Sequence, residues 1–286
     1  MRAFNRIVTE RIGALDEHYL ERGRPLGASC LLWEVGSDGA DLRTLRSRLG
    51  LDSGYLSRLL RNLERDGLVT VGPLDSDRRV RIARRTAAGD AEVAELDRLS
   101  DELARGLLEP LSTGQRTQLL EAVSTVERML TAGMVEISPA DPASNDVRFC
   151  VESYFSELDR RMDGGFDAAR SRYADIAAFV EPAGMVLLAT LRGDPVGCGA
   201  LRFGDHGVAE IKRMWLAPSV RGLGLGRRLL NDLERHAGEH GARLARLDTN
   251  HVLTEAIAMY RRAGYVEVPA FNDEHHADHW FEKAIG

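Results

Sequence analysis

Lysine is almost missing from this 286-residue chain: it occurs twice, at Lys212 and Lys283, against 36 arginines. With abundant Ala and Gly, that looks like a coding bias, so arginine counts alone assign no nucleic-acid role. Cysteine is scarce too. Cys30, Cys150 and Cys198 show no paired spacing, which argues against a disulfide framework and a cysteine zinc site. There is no run of 18 apolar residues, and the opening Met1-Arg2-Ala3-Phe4-Asn5 has no apolar signal core. The expectation is a cytoplasmic protein that meets no membrane. Apolar residues at 44% and charged residues at 29% are an ordinary globular balance, and the length suits about two domains.

The most informative stretch runs from Glu210 to Leu230. A strand-like run (Ile211, Met214, Trp215, Leu216) stops at Pro218. A glycine-rich turn follows, Arg221-Gly222-Leu223-Gly224-Leu225-Gly226. Leu225, Leu229, Leu230 and Leu233 then space an amphipathic helix. A strand, a tight glycine turn and a helix N-terminus make an anion site, because backbone N–H groups converge there and the helix dipole favours negative charge. The spacing is not the Gly-x-Gly-x-x-Gly of a dinucleotide fold, and the Gly-Lys-Ser/Thr of a phosphate loop is absent.

Arg-Gly-x-Gly-x-Gly after a Pro-ended strand resembles the acetyl-CoA loop of the GNAT N-acetyltransferase superfamily. A second block agrees: the strand Leu244–Thr249, then Asn250, then a helix ending in Tyr260-Arg-Arg-Ala-Gly264-Tyr265. The resemblance implies acetyl-CoA held by Met214, Trp215, Leu216, Arg221, Gly222, Leu223, Gly224, Leu225, Gly226 and Arg227, with Asn250 as a further contact. It implies Tyr260 as the general acid and Glu210 as the base that opens the strand. Relatives place an Asn about seven residues before the Tyr; here that position is Leu253. His275, His276 and His279 sit with Asp273, Glu274 and Asp278 in a polar loop, which is expected to hold no metal.

The first 136 residues read as mostly helical. Phe4 to Leu20 spaces a first helix and Leu26 to Val35 a second. Asp41 caps a third, Leu42 to Leu49, and a fourth runs from Gly54 to Asp66. Leu68–Val71 and Arg79–Ala83 form a hairpin, and Thr86 caps a long helix to about Leu108 before a last one from Thr113. Helix–turn–helix–hairpin with the tip Asp75-x-Asp-Arg78-Arg79-x-Arg81 resembles the MarR family of winged-helix regulators. That resemblance implies a homodimer on double-stranded DNA, read as operator half-sites. Residues 42–85 carry 11 Arg against 5 acids, whereas residues 1–138 carry 20 Arg against 22. The positive charge is thus confined to one segment. Ser53, Tyr55, Ser57, Arg58 and Arg61 on the fourth helix, with Arg78 and Arg79 at the hairpin tip, are the expected DNA contacts.

Residues 137–146, with two prolines and small polar side chains, read as a linker. The expected architecture is therefore a mostly-α winged helix-turn-helix domain (1–136) and an α/β (α+β) GNAT domain (147–286) with a mixed, mainly antiparallel sheet. Two functions follow: a bifunctional regulator and transferase acting on a small amine, amino acid or protein lysine, or a regulator whose second domain only senses acetyl-CoA or an effector.

Overall fold

The computed structural model describes residues 1–74, 77–167 and 176–286. Asp75 and Ser76, named above at the hairpin tip, lie outside the described residues. The chain divides into two compact units, Met1–Ser124 and Thr125–Gly286.

In the first unit, α1 (Arg2–Arg11) is shorter than its sequence pattern suggested. The apolar spacing to Leu20 does not continue the helix: Gly13 has φ +66°, and Leu20 itself lies at φ 51° in a short 3-10 turn. Three helices follow, α2 (Leu26–Val35), α3 (Leu42–Leu49) and α4 (Ser53–Arg65). Asp41 caps α3 by accepting from the amides of Arg43 and Thr44, and Asp52 caps α4 by accepting from Tyr55. Gly50, at φ +62°, is the left-handed residue that lets the chain turn between them. Strands β1 (Ala40–Asp41), β2 (Val69–Pro73) and β3 (Arg81–Arg85) form a small sheet in the order β1-β3-β2. Leu31, Leu32, Leu45, Leu56, Leu59, Leu60 and Leu63 make the core on which these helices converge. Thr86 caps α5 (Ala87–Leu108) through Gly89, as its position suggested. A last helix, α6, spans Thr113–Met134.

The second unit is built on a seven-stranded sheet: β4 (Val135–Ala140), β5 (Gly184–Leu191), β6 (Asp194–Phe203), β7 (Val208–Leu216), β8 (Leu244–Thr249), β9 (Val266–Val268) and β10 (His279–Ala284). Their order is β4-β5-β6-β7-β8-β10-β9, and among the described residues only the β7–β8 pair runs parallel. Here the linker expectation fails. Residues 135–140 pair antiparallel with β5 from Val135↔Leu191 to Ala140↔Val186, making the sheet's first strand. Pro139 is tolerated because an edge strand has one side without ladder bonds. After this strand comes α7 (Asn145–Arg161), capped by Ser144, whose hydroxyl accepts from Val147 N–H. Helices α8 (Leu225–Glu239) and α9 (Thr254–Arg262) complete the unit. They pack on the Leu187, Leu201, Ile211 and Leu247 face, whereas α7 covers the face of Cys198, Ala200 and Trp215.

Burial decides where α8 begins and which side it shows. Leu225, Leu229, Leu230 and Leu233 are fully buried, each contributing about 1.5–3 kcal/mol. Its N-cap is Gly224, which makes no side-chain cap bond; using glycine there costs only a few tenths of a kcal/mol, roughly, relative to Ser or Asp. Packing wins easily, and φ +79° at Gly224 calls for glycine in any case.

Two glycines test the packing argument in opposite directions. A Cβ on Gly184 would lie 2.3 Å from the Leu201 carbonyl oxygen and 2.6 Å from that of Ala178. Gly184→Ala is expected to destabilise by about 1–3 kcal/mol in chemical denaturation. Gly238, in α8, has open space around its Cβ, so Gly238→Ala is expected to be neutral or stabilising by up to about 1 kcal/mol.

Candidate active site

The site exists because β7 and β8 separate. They pair only at Val208↔Leu244, Ala209↔Ala245 and Glu210↔Arg246. Beyond that point β7 bulges: Cys198 faces Trp215 and Ala200 faces Lys212, so Arg213 and Met214 stand opposite Gly199 alone. Arg213 takes φ 52°, and its carbonyl accepts from the Cys198 thiol at 3.4 Å. A bulge adds local twist and bends its strand, which opens a wedge between the two strands.

Two adjoining spaces occupy this region. One is an open groove of about 780 Å³, lined by Tyr154, Glu157, Met214, Trp215, Leu216, the glycine turn, Arg227, Met259 and Tyr260. The other, about 90 Å³, lies between residues 211–214 of β7 and 248–250 at the end of β8, with Tyr154, Phe155 and Phe166 on its other side. Tyr154, Met214 and Tyr260 line both.

The groove's floor suits a phosphorylated ligand. Gly222 and Gly224 lie at φ +74° and +79°, and the first amides of α8 have no intrahelical acceptor. A Cβ at Gly224 would meet nothing within 4 Å, and one at Gly226 would press on Met259 Sδ at 3.0 Å. Leu223 and Leu225 turn away to pack with Val135, Val196 and Val220, so they offer backbone only. Arg221 is tied into the wall. Its Nε donates to the Leu216 carbonyl at 2.8 Å, its Nη1 donates to Glu157 Oε1 at 2.9 Å, and Nη2 donates to Glu157 Oε2. Trp215 Nε1 donates to the same carboxylate at 2.9 Å. Glu157 therefore holds the glycine turn and the end of β7 to α7. The Gly222 carbonyl is held at 2.8 Å by Arg128.

Tyr260 is buried on α9 between the two spaces. Burial, with the charge of Asp248 nearby, pushes its hydroxyl well above the usual tyrosine value, so it stays protonated at neutral pH. Tyr154 is raised as well, by burial first and then by Tyr260 and Asp248.

The sequence-derived residues divide clearly. Met214, Trp215, Leu216, Arg221, Gly222, Gly224, Gly226, Arg227 and Tyr260 line the groove. Asn250 lines the small cavity instead, where its amide donates to the His276 carbonyl and its Oδ1 accepts from Val252 N–H. It braces a turn. Glu210 is not brought to either space: it points to the same face as Arg202, 3.5 Å away, and Lys212, 3.7 Å away. The carboxylate beside Tyr260 is Asp248, which sequence reasoning passed over. Its alternation with the buried Leu247 and Thr249 was the available signal. Among the described residues no group of three or more His, Cys, Asp or Glu side chains is arranged to hold a metal. No helix among them is long and apolar enough to cross a membrane.

Residues 151–265 match the model of the acetyltransferase (GNAT) family. The chain is 33% identical over 118 residues to an IAA acetyltransferase of Azospirillum brasilense, spanning 41% of this chain and 77% of that protein. It is 30% identical over 124 residues to an uncharacterised N-acetyltransferase of Schizosaccharomyces pombe, 42% of this chain and 75% of that one. Among solved structures, a GNAT-family acetyltransferase from Staphylococcus aureus aligns with a TM-score of 0.46 and 15% identity, over 53% of this chain and 99% of its own. The chain belongs to the acetyltransferase (GNAT) family. It is an acetyltransferase, and its cofactor is acetyl-CoA.

The Glu157 strut has a pH signature. Burial raises this carboxyl, but the hydrogen bonds from Arg221 and Trp215 and the charges of Arg221 and Arg161 more than offset that, so it ionises below its ordinary range. Its contribution to stability is complete above the unfolded value of about 4.3 and is lost as pH falls through the lower folded value. Glu157→Gln should lower Tm near neutral pH. Its Tm should also fall less than the parent's between about pH 6 and about pH 3.

Proposed function

We propose that the Thr125–Gly286 unit transfers the acetyl group of acetyl-CoA directly to an amine, with Tyr260 as the acid, and that the Met1–Ser124 unit binds DNA. The observation that supports the transfer is the junction at Tyr260. A groove fitted for a phosphorylated cofactor meets there a small polar cavity suited to an acceptor. The cofactor supplies an acetyl thioester. The amides of the glycine turn and the α8 N-terminus hold its phosphates, and Met214 to Leu216 line its path to the cavity. Tyr260, kept protonated by burial, holds the proton that the departing thiolate requires. Glu210, ion-paired outside the cavity, is not part of this reading as a base.

For DNA binding, support comes from the exposed side of α4. Ser53, Ser57, Arg58 and Arg61 face solvent, while Leu56, Leu59, Leu60 and Leu63 are buried. Arg58 lies over the ring of half-buried Tyr55, 5.5 Å from its centroid. Arg78 and Arg79 are exposed between β2 and β3, where Asp77 accepts from the Arg79 amide at 3.0 Å. Helices α2 to α4 followed by this hairpin are the order of a winged helix-turn-helix, in which α4 would enter the major groove. Exposed Phe4 and Ile7 on α1, with Leu119, Leu120 and Val123 on α6, give a homodimer the apolar surface it needs.

Free-thiol release from acetyl-CoA, measured over amino acids, amines, peptides and the IAA for which one relative is named, tests the transferase and identifies its acceptor. Tyr260→Phe is expected to lower kcat by about 10²–10⁴-fold with acetyl-CoA affinity unchanged. Tight cofactor binding with no turnover on any acceptor would favour a sensor instead. Binding to genomic fragments tests the first unit. Arg58→Ala and Arg61→Ala should each weaken binding, by about 1–3 kcal/mol and with relaxed selectivity where the guanidinium reads a base, and uniformly where it meets a phosphate.

A further inference from the structure

We propose that Asp248 seats the nitrogen of the acceptor, and that Lys212 prevents that nitrogen from being held as an ammonium ion. The proposal rests on the amine-acceptor reading above and assigns the residues that serve it.

Asp248 lies on the face of β8 opposite Leu247, its side chain 8% exposed, in the wall of the small cavity that Tyr260 also lines. One of its oxygens is clamped twice. Lys212 Nζ ion-pairs with Oδ2, and Asn272 Nδ2 donates to the same atom at 2.9 Å. Asn272 is itself fixed by Trp280 Nε1, which donates to its Oδ1 at 2.8 Å. These clamps set the plane of the carboxylate and leave Oδ1 as the oxygen they do not engage. An acceptor N–H hydrogen-bonded to Oδ1 would be held beside the Tyr260 hydroxyl.

A carboxylate alone would do this badly, since a lone negative charge favours the ammonium form and an ammonium nitrogen has no lone pair to attack with. Lys212 supplies the correction. Its side chain is only 10% exposed and its charge sits on the same carboxylate, so a second cation entering there meets repulsion as well as attraction. Among the described residues, the other charged or titratable groups around the cavity are Arg213 on β7, Tyr154 on α7, Tyr260 on α9, and Glu274 and His276 between β9 and β10, while Glu210, outside it, lies 3.7 Å from Lys212 and 3.5 Å from Arg202. Arg213, over the rings of Phe155 and Phe179, adds positive charge that Glu274 balances. Among the described residues that line the cavity, the two carboxylates Asp248 and Glu274 are matched by Lys212 and Arg213, which leaves no excess of negative charge to hold an ammonium.

The chemistry balances without a base of high proton affinity. The amine lone pair forms the N–C bond as the C–S bond breaks and its electron pair leaves on sulfur. Tyr260 gives its proton to that sulfur and recovers one from the nitrogen, which loses a proton in becoming an amide. Asp248 accepts a hydrogen bond throughout and takes no proton from the reaction.

Steady-state kinetics on the full chain, with the acceptor found by thiol release, decide the matter. Asp248→Asn should lower kcat/KM for the acceptor by about 100-fold, the scale of a misplaced reacting group. Its acetyl-CoA affinity by calorimetry should stay within about two-fold, which also shows that it is folded. Lys212→Met should move the acidic limb of the acceptor kcat/KM profile upward by about one pH unit, because the lone carboxylate now favours the ammonium. An unchanged acceptor kcat/KM in Asp248→Asn overturns the assignment of Asp248. Lost activity with an unmoved limb in Lys212→Met overturns that of Lys212. No turnover of any amine by the parent, despite acetyl-CoA binding, would instead overturn the amine-acceptor reading, and both assignments with it.

Discussion

The separation of β7 from β8 is the constraint on which the catalytic unit depends. Two neighbouring parallel strands normally stay in register, because each broken ladder bond leaves backbone groups that need other partners. Here the pairing ends after three positions and the bulge at Arg213 and Met214 follows at once. The wedge that results lets Tyr260, packed on one face of the sheet, share a cavity with Asp248 and Lys212. Gly199 stands opposite the bulge, and a Cβ there would press on the Leu233 side chain of α8 at 2.8 Å, so glycine lets this strand lie close on α8.

The second requirement is rigidity along the groove. The glycine turn is anchored in the core by Leu223 and Leu225, but its glycines bring no side chains to order the face it turns to the groove. Glu157 supplies order from α7 by receiving both Arg221 and Trp215, and Arg161 adds its charge at 3.0 Å from the same carboxylate. An arginine expected to hold acetyl-CoA therefore also ties the glycine turn to the rest of the unit. Lining the groove and bracing it are roles that one planar guanidinium, with its several donors, can fill together.

Much of this was legible in the sequence, for physical reasons. The α8 leucines recur at helical spacing, and the glycine turn announces itself because φ values near +75° have few other occupants. Thr86 and Asp41 cap the helices they were expected to cap. Residues 137–146 misled, because two prolines and small polar residues describe an edge strand and a turn as well as they describe a linker. The apolar residues before Leu20 kept a helical rhythm that Gly13 interrupts. Glu210 was chosen for its place at the start of a strand. What sequence could not convey is that β7 and β8 part just beyond it, so the strand carboxylate that lines a cavity with Tyr260 is Asp248.

The scarcity of lysine takes on a different meaning in an enzyme that acetylates amines. Both lysines are engaged in ion pairs, Lys212 with Asp248 and Lys283 with Glu234, and neither side chain is more than 21% exposed. The other cationic side chains are guanidinium groups, which keep their protons at any physiological pH and so have no nucleophilic nitrogen to offer. Apart from its N-terminal amine, the folded protein presents its own cofactor with hardly any acceptor. Its composition shields it from self-acetylation, whatever the local concentration of acetyl-CoA at its surface.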